Sequence, residues 1–90
     1  MGISKLQKKL QKIFAHPTPT NLEWRTVESL LTHLGFTVEH TKKGHVKIKN
    51  SEGKEAVLIV HDHEINSKDE VVKLRHFLEE NGINADTKLS

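Results

Sequence analysis

Two short segments, residues 36–39 and 45–49, carry apolar residues at every second position, and segments with helical spacing lie before and after them in the chain. The alternation is seen at Phe36 and Val38 and again at Val46 and Ile48. A period of two is typical of strands with one buried face, whereas apolar residues at i, i+3 and i+7 are typical of amphipathic helices. This order restricts the chain to an α+β fold in which helices cover one face of a short antiparallel sheet.

The two flanking helices have clear end signals. The first is predicted over residues 22–34, with Asn21 as its N-cap and Gly35 as the residue that ends it. The second is predicted to begin after Ser67, which forms a capping box with Glu70, and to stop at the following Asn-Gly pair. Both helices therefore have predicted bounds before any packing is considered.

Three strands are predicted between these helices. Turns are expected at residues 42–44 and 50–53, which makes the three strands an antiparallel meander. The third strand, residues 56–60, is continuously apolar and is therefore expected to be more deeply buried than the other two. If Val46 and Ile48 point to the core, the pleat sends the intervening residues to the opposite, solvated face. These intervening residues are His45, Lys47 and Lys49.

An additional amphipathic helix is predicted over residues 3–14, with lysines opposite its apolar side. The prolines that follow it cannot continue the helix, so residues 1–20 are interpreted as a helix and linker. The α-β-β-β-α domain then spans residues 21–84. A polar tail, residues 85–90, is expected to fray.

Composition excludes several classes of site. The chain has no cysteine, which rules out a disulfide framework, a thiolate zinc site and a cysteine nucleophile, and it fits a protein of the reducing cytoplasm. No apolar run is long enough to span a bilayer, so no membrane association is expected. Residues 1–54 hold ten Lys/Arg against four Asp/Glu, or +6, and residues 55–90 hold four against eight, or −4. The net charge of +2 therefore allows a basic face in the first half, although solvated surface lysines would produce the same count.

The element order and three short motifs resemble the HicA family of toxins, over residues 21–83. The run Leu34-Gly35-Phe36-Thr37-Val38 is similar to the start of that family's first strand. The family carries a Gly-Ser-His signature at the head of its second strand, where this chain has Lys43-Gly44-His45. His61 and His63 end the third strand, as one or more histidines do in the family. The match is partial, because Gly44 stands in place of the signature serine and Lys43 in place of its glycine.

The resemblance implies a double-stranded-RNA-binding-like fold and a toxin of a type II toxin-antitoxin system, of a longer type with an extra N-terminal helix. The implied activity is metal-independent endonucleolytic cleavage of mRNA with one catalytic histidine, and the implied partner is a HicB-like antitoxin. No metal or other cofactor is expected. His45 takes the catalytic position. The residues expected to contact RNA are Lys42, Lys43, Gly44, Lys47 and Lys49.

The residue types fit this chemistry. Histidine, with an ordinary pKa of about 6.5, can transfer the proton of an RNA 2′-hydroxyl near neutral pH, and lysines supply positive charge for phosphate. Without the resemblance, His45 would be interpreted as an exposed histidine of a lysine-rich hairpin with no role. The pair His61 and His63 could suggest a metal site, but no further ligand pair completes it, so polar residues at a strand end are the preferred interpretation.

Two other functions stay open. A non-catalytic RNA-binding module would use the same face, and it predicts salt-dependent binding without cleavage. A protein-interaction domain would use the helix at residues 3–14 to bind a partner or form a dimer. The four aromatic residues all lie in apolar patterns, which disfavours a protein that stacks RNA bases on its side chains.

Overall fold

The computed structural model describes residues 2–89, and the side chains of all of these except residues 2, 3 and 42. It is an α+β fold with three helices, a three-stranded antiparallel sheet in the order β2-β3-β4, and a separate two-stranded pair formed by β1 and β5. None of its helices is long and apolar enough to cross a bilayer. The elements are α1 Gly2–Ile13, β1 Leu22–Glu23, α2 Trp24–His33, β2 Thr37–Lys42, β3 His45–Lys49, β4 Glu55–Ile59, β5 Glu64–Ile65 and α3 Lys68–Glu80.

The N-terminal helix forms as its apolar spacing predicts, and it belongs to the main core. Leu10 and Ile13 are fully buried and lie in the same cluster as residues of α2, α3 and the sheet. Arg75 of α3 holds the end of α1, because its Nε donates to the carbonyl of Ile13 at 3.2 Å and its Nη2 donates to Thr18 at 3.0 Å. The apolar side of α1 is therefore occupied within the chain itself.

Helix α2 begins two residues later than predicted. Leu22 and Glu23 form strand β1, which pairs antiparallel with Ile65 and Glu64, so Asn21 is not the N-cap. The extended backbone of Glu23 precedes the helix, and its carboxylate accepts a hydrogen bond from the Thr26 hydroxyl at 2.6 Å. Propensity could not reveal this start, because β1 is stabilised by a partner more than forty residues away in sequence.

The C-terminal end of α2 matches the prediction. Gly35 has a φ of +95°, and the N–H of Phe36 donates to the carbonyl of Leu31 at 3.0 Å. This bond across six residues closes a Schellman motif, which satisfies carbonyls that the helix leaves without partners. The chain then turns directly into β2.

The meander forms as predicted, and Val46 and Ile48 point to the core. Val46 and Ile48 of β3 are buried, and their neighbours across the sheet are His40 and Val38 in β2 and Leu58 and Ala56 in β4. Helices α2 and α3 cover this face. The opposite face carries no second layer among the described residues, so side chains on it are exposed or half-buried.

The prediction that the third strand is deeply buried is wrong. Strand β4 covers Glu55–Ile59, and only Leu58 is buried, whereas Val57 is 38% and Ile59 is 48% exposed. Its apolar run continues on both faces, but helices pack on one face only. The edge of β4 is covered by α3, since Glu70 accepts from the backbone N–H of Ile59 at 2.9 Å and Lys73 donates to the carbonyl of Val57 at 3.0 Å. These side chains satisfy backbone groups that an open edge would expose.

Helix α3 has the predicted N-cap but not the full capping box. The Ser67 hydroxyl accepts from the N–H of Asp69 at 3.2 Å, whereas the Glu70 carboxylate is directed to β4. At the other end, the N–H of Ile83 donates to the carbonyl of Leu78 at 2.9 Å, as the Asn-Gly stop predicts.

The C-terminal tail, which the sequence predicts to fray, contacts α1. The side chain of Gln7 donates to the carbonyl of Thr87 at 2.8 Å and accepts from the N–H of Leu89 at 3.1 Å. Leu89 also packs against the core. Local sequence gives little sign of this docking, because the partner side chain lies some eighty residues away.

Candidate functional site

His45 is the first residue of β3 and lies on the open side of the sheet. Its position follows from the alternation, because its neighbour Val46 is buried and His45 is half-buried. Its Nδ1 lies 3.3 Å from the backbone carbonyl of Lys43. A carbonyl oxygen can only accept, so this contact requires a proton on Nδ1. The neutral ring then has Nε2 unprotonated, which is the form of histidine that can accept a proton from a substrate.

The turn before His45 depends on glycine. Gly44 has a φ of +79°, and its carbonyl accepts from the N–H of Val60 at 2.7 Å. A Cβ at this position would lie 3.2 Å from the carbonyl oxygen of Val60. A serine here would therefore be disfavoured by both its backbone conformation and crowding. Gly44 fixes how the head of β3 lies against the residues that follow β4.

A second tight turn lies beside the first. Asp62 and His63 have φ values of +52° and +66°, and His61 and Glu64 exchange backbone hydrogen bonds of 2.8 and 3.0 Å around them. Two central residues with positive φ are typical of a type I′ hairpin, which normally contains Asn or Gly. A histidine in this conformation is strained, and strained residues concentrate at functional sites. The carbonyl of His63 also accepts from the N–H of Trp24 at 2.9 Å, which ties the turn to the start of α2.

The two turns enclose a cavity of about 540 Å³. Three of the predicted site residues, Lys43, Gly44 and His45, line this cavity. Histidines of the second turn line it too, although the sequence predicts no role for them beyond that of polar residues at a strand end. The type I′ turn brings His61 and His63 to it, and β2 brings His40. The lining residues are Trp24, His40, Lys43, Gly44, His45, Val46, Val60, His61, Asp62 and His63.

Trp24 forms part of the cavity wall and also belongs to the core, as predicted. Its side chain is 5% exposed, and its Nε1–H is buried without a hydrogen-bond partner among the described residues. An unpaired buried donor costs roughly 1–3 kcal/mol.

Lys47 and Lys49 lie outside this cavity, further along the open face. The register places Lys47 between Glu39 and Val57, and Lys49 between a threonine and Glu55. Carboxylates on both outer strands therefore offset the basic stripe expected from β3. The side chain of Lys42, also predicted to contact RNA, lies outside the described residues. The open face is consequently mixed in charge and partly apolar.

The histidine and carboxylate side chains of the described residues do not form a metal site. No group of three or more His, Asp or Glu side chains within residues 2–89 is placed to hold a metal ion, although several histidines line one cavity. His61 makes a charged contact with Asp62, at 3.3 Å between Nε2 and Oδ2, and both side chains are exposed. The arrangement suits proton transfer and anion contact better than metal coordination.

Comparisons of this chain with protein family models, with curated proteins and with solved structures return no match.

Proposed function

We propose that the chain is a HicA-like endoribonuclease toxin that cleaves mRNA without a metal ion, with His45 as the proton-transferring residue. The observation that carries the proposal is the setting of His45. Its Nδ1 contacts a backbone carbonyl, which leaves Nε2 available, and it lines a cavity with Lys43, His61 and His63. The proposed fold relationship is to the double-stranded-RNA-binding-like domains, with β1 and β5 as additions.

The proposed reaction is an internal transesterification. Nε2 of His45 accepts the proton of an RNA 2′-hydroxyl, and the 2′-oxygen forms a bond to the adjacent phosphorus. The bond from phosphorus to the 5′-oxygen breaks, and that oxygen takes a proton from a second group. The products are a 2′,3′-cyclic phosphate and a 5′-hydroxyl end. Acid–base catalysis by a positioned side chain contributes typically 10²–10⁴-fold to such a step.

The same cavity contains candidates for the other roles. His61 or His63, in the protonated form, can supply the proton to the leaving 5′-oxygen, because both line the cavity that His45 lines. The ammonium of Lys43 can offset charge on the phosphorane. This assignment extends the single-histidine scheme that the family resemblance implies, and it gives a role to the strained turn at residues 61–64.

The partner in this proposal is a HicB-like antitoxin, and the setting is the cytoplasm. An antitoxin that covers the open face of the sheet would bury Val57 and Ile59, which are 38% and 48% exposed. Ile59 is the cross-strand neighbour of His45, so cover at that position would also obstruct the cavity. One contact with the antitoxin would then both inhibit RNA cleavage and bury the exposed apolar side chains.

Single replacements in the full chain test the proposal. Purified His45→Gln should lose at least 100-fold in the rate of RNA cleavage in the presence of EDTA, and its expression should no longer slow cell growth. His33→Gln is the matched control, because His33 is exposed on α2 away from the cavity. Cleavage that persists in His45→Gln would remove His45 from the mechanism.

A non-catalytic RNA-binding module is the second candidate, and the replacement of the signature serine by Gly44 favours it. This candidate predicts RNA binding that weakens steeply with salt, with no cleavage at any protein concentration. The third possibility, a protein-interaction domain that uses α1, would have to use the polar side of the helix. The apolar residues Leu10 and Ile13 on its other side are fully buried in the core.

A further inference from the structure

Four lysines lie on one side of α1, away from the histidine cavity. Lys5, Lys8, Lys9 and Lys12 are spaced by three and four residues, so they share a helix face. Three of them are exposed and Lys9 is half-buried. We call these four residues the lysine face.

The lysine face is held in a fixed orientation. Leu10 and Ile13, on the other side of the helix, are fully buried in the core. The hydrogen bond from Arg75 to the carbonyl of Ile13 fixes the end of α1, and two hydrogen bonds with the C-terminal tail fix Gln7 nearer its start. A charged face on an anchored helix can bind a ligand at a lower entropic cost than a flexible basic tail.

The charges of this face are largely uncompensated. The four lysines line a cavity of about 240 Å³ together with Glu23 and Thr26, and Arg25 lines an adjoining cavity of about 210 Å³ with Lys5. Five cationic side chains thus face one carboxylate, a local balance of +4. That carboxylate is already hydrogen-bonded to Thr26 at 2.6 Å. Within residues 2–89, none of the four lysines is in an ion pair.

The electrostatics of Lys9 are consistent with this imbalance. Burial lowers the pKa of the Lys9 ammonium below its ordinary value, and the neighbouring charges of Lys12 and Lys5 lower it further, against a raising effect of Glu23. Neighbouring ammonium groups without carboxylate partners repel one another. A bound polyanion would relieve this repulsion.

Consecutive residues of the chain line the lysine cavity and the histidine cavity. Glu23 lines the lysine cavity, and the next residue, Trp24, lines the cavity that contains His45. Both cavities are therefore bordered by the segment where β1 passes into α2. A single extended polyanion could contact both.

We infer that the lysine face is a second binding surface for the backbone of single-stranded RNA, which holds phosphates of the strand whose scissile bond lies beside His45. The identity of the polyanion as RNA rests on the proposed function. The surface itself rests on the charge imbalance and the anchored helix, and neither of these depends on cleavage.

Salt-dependent binding tests the inference. Binding of a fluorescein-labelled 20-nucleotide RNA to the full chain is measured by anisotropy between 50 and 200 mM KCl, in a His45→Gln background that prevents cleavage. Single-stranded nucleic acids give a slope of about −0.7 in log K against log[salt] per neutralised phosphate. Replacing Lys5 and Lys9 with Gln should weaken binding at least tenfold and reduce the slope by about 1.4.

The control is Lys54→Gln with Lys68→Gln, which removes the same charge at two exposed positions outside both cavities. An equal change of slope in the test and control pairs would overturn the inference, and so would equally tight binding of poly-glutamate of matched length. Cleavage by the wild-type chain is assayed separately. If the wild-type chain does not cleave RNA but the Lys5 and Lys9 replacements alone reduce the salt slope, the proposed function is refuted and the binding surface stands. If the wild-type chain cleaves RNA but these replacements reduce the slope no more than the control pair does, the binding surface is refuted and the proposed function stands.

Discussion

Replacement of Gly44 by alanine tests the geometry on which the site depends. With a φ of +79°, Gly44 is in the left-handed region, where a residue with a side chain costs about 1–2 kcal/mol more than glycine. The new Cβ would also lie 3.2 Å from the carbonyl oxygen of Val60, which cannot move freely because the N–H of Val60 donates to Gly44. Crowding of this kind adds about 1 kcal/mol, the low end for overpacking. We expect a total loss of about 2–3 kcal/mol in the free energy of unfolding.

Gly82→Ala is the matched control, because Gly82 has a φ of +77° and a Cβ there would meet no atom within 4 Å. It should lose only the conformational part, about 1–2 kcal/mol. Thermal unfolding followed by the fluorescence of Trp24, the single tryptophan, measures both variants. For a domain of this size, 1 kcal/mol corresponds to roughly 4–8 °C in Tm. Equal Tm values for the two variants would refute the close approach of Gly44 to Val60.

Three further predictions concern the turn, the sheet edge and the lysine face. His63→Gly should relieve the strained φ and stabilise the fold by about 1 kcal/mol in urea unfolding, while it reduces cleavage. Glu70→Ala should leave the N–H of Ile59 unpaired and cost about 1–3 kcal/mol in the same assay, against less than about 0.5 for exposed Glu79→Ala. Lys9→Gln should leave stability at pH 7 unchanged or higher by up to about 0.5 kcal/mol. The pKa of Lys9 is lower in the folded state than in the unfolded state, so charged Lys9 destabilises the fold. The stability gained by Lys9→Gln should therefore shrink as pH rises through the folded-state pKa of Lys9. A less stable Lys9→Gln variant would contradict this prediction.

Local patterns predicted the elements whose stabilising contacts are local or periodic. The alternation at Val46 and Ile48 predicted which side chains of β3 are buried and hence the side of the sheet on which His45 lies. The bounds of β1 and the exposure of β4 could not be predicted in this way. Strand β1 forms because it pairs with β5, and the exposure of β4 depends on which face of the sheet the helices cover. Both depend on residues distant in sequence, so the apolar residues of the segment itself do not predict them.

The candidate site was predictable in part. Lys43, Gly44 and His45 are consecutive, so one hairpin places them together whatever the rest of the fold does. His61 and His63 reach the same cavity because Asp62 and His63 adopt positive φ values, which only a few per cent of residues other than glycine adopt. The absence of Gly or Asn from this two-residue turn concealed it. Similarly, the charges opposite Lys47 and Lys49 follow from the register of three strands and not from the segment that contains the lysines.

The central claim is that the cavity around His45 cleaves RNA through the 2′-hydroxyl. The most direct measurement is single-turnover cleavage of an end-labelled RNA oligonucleotide by the full chain in excess EDTA, with the new ends identified. We expect a 2′,3′-cyclic phosphate and a 5′-hydroxyl, no cleavage when the nucleotide at the cut carries a 2′-deoxyribose, and a rate at least 100-fold lower for His45→Gln. Cleavage of the 2′-deoxy substrate, or an equal rate for His45→Gln, would contradict it.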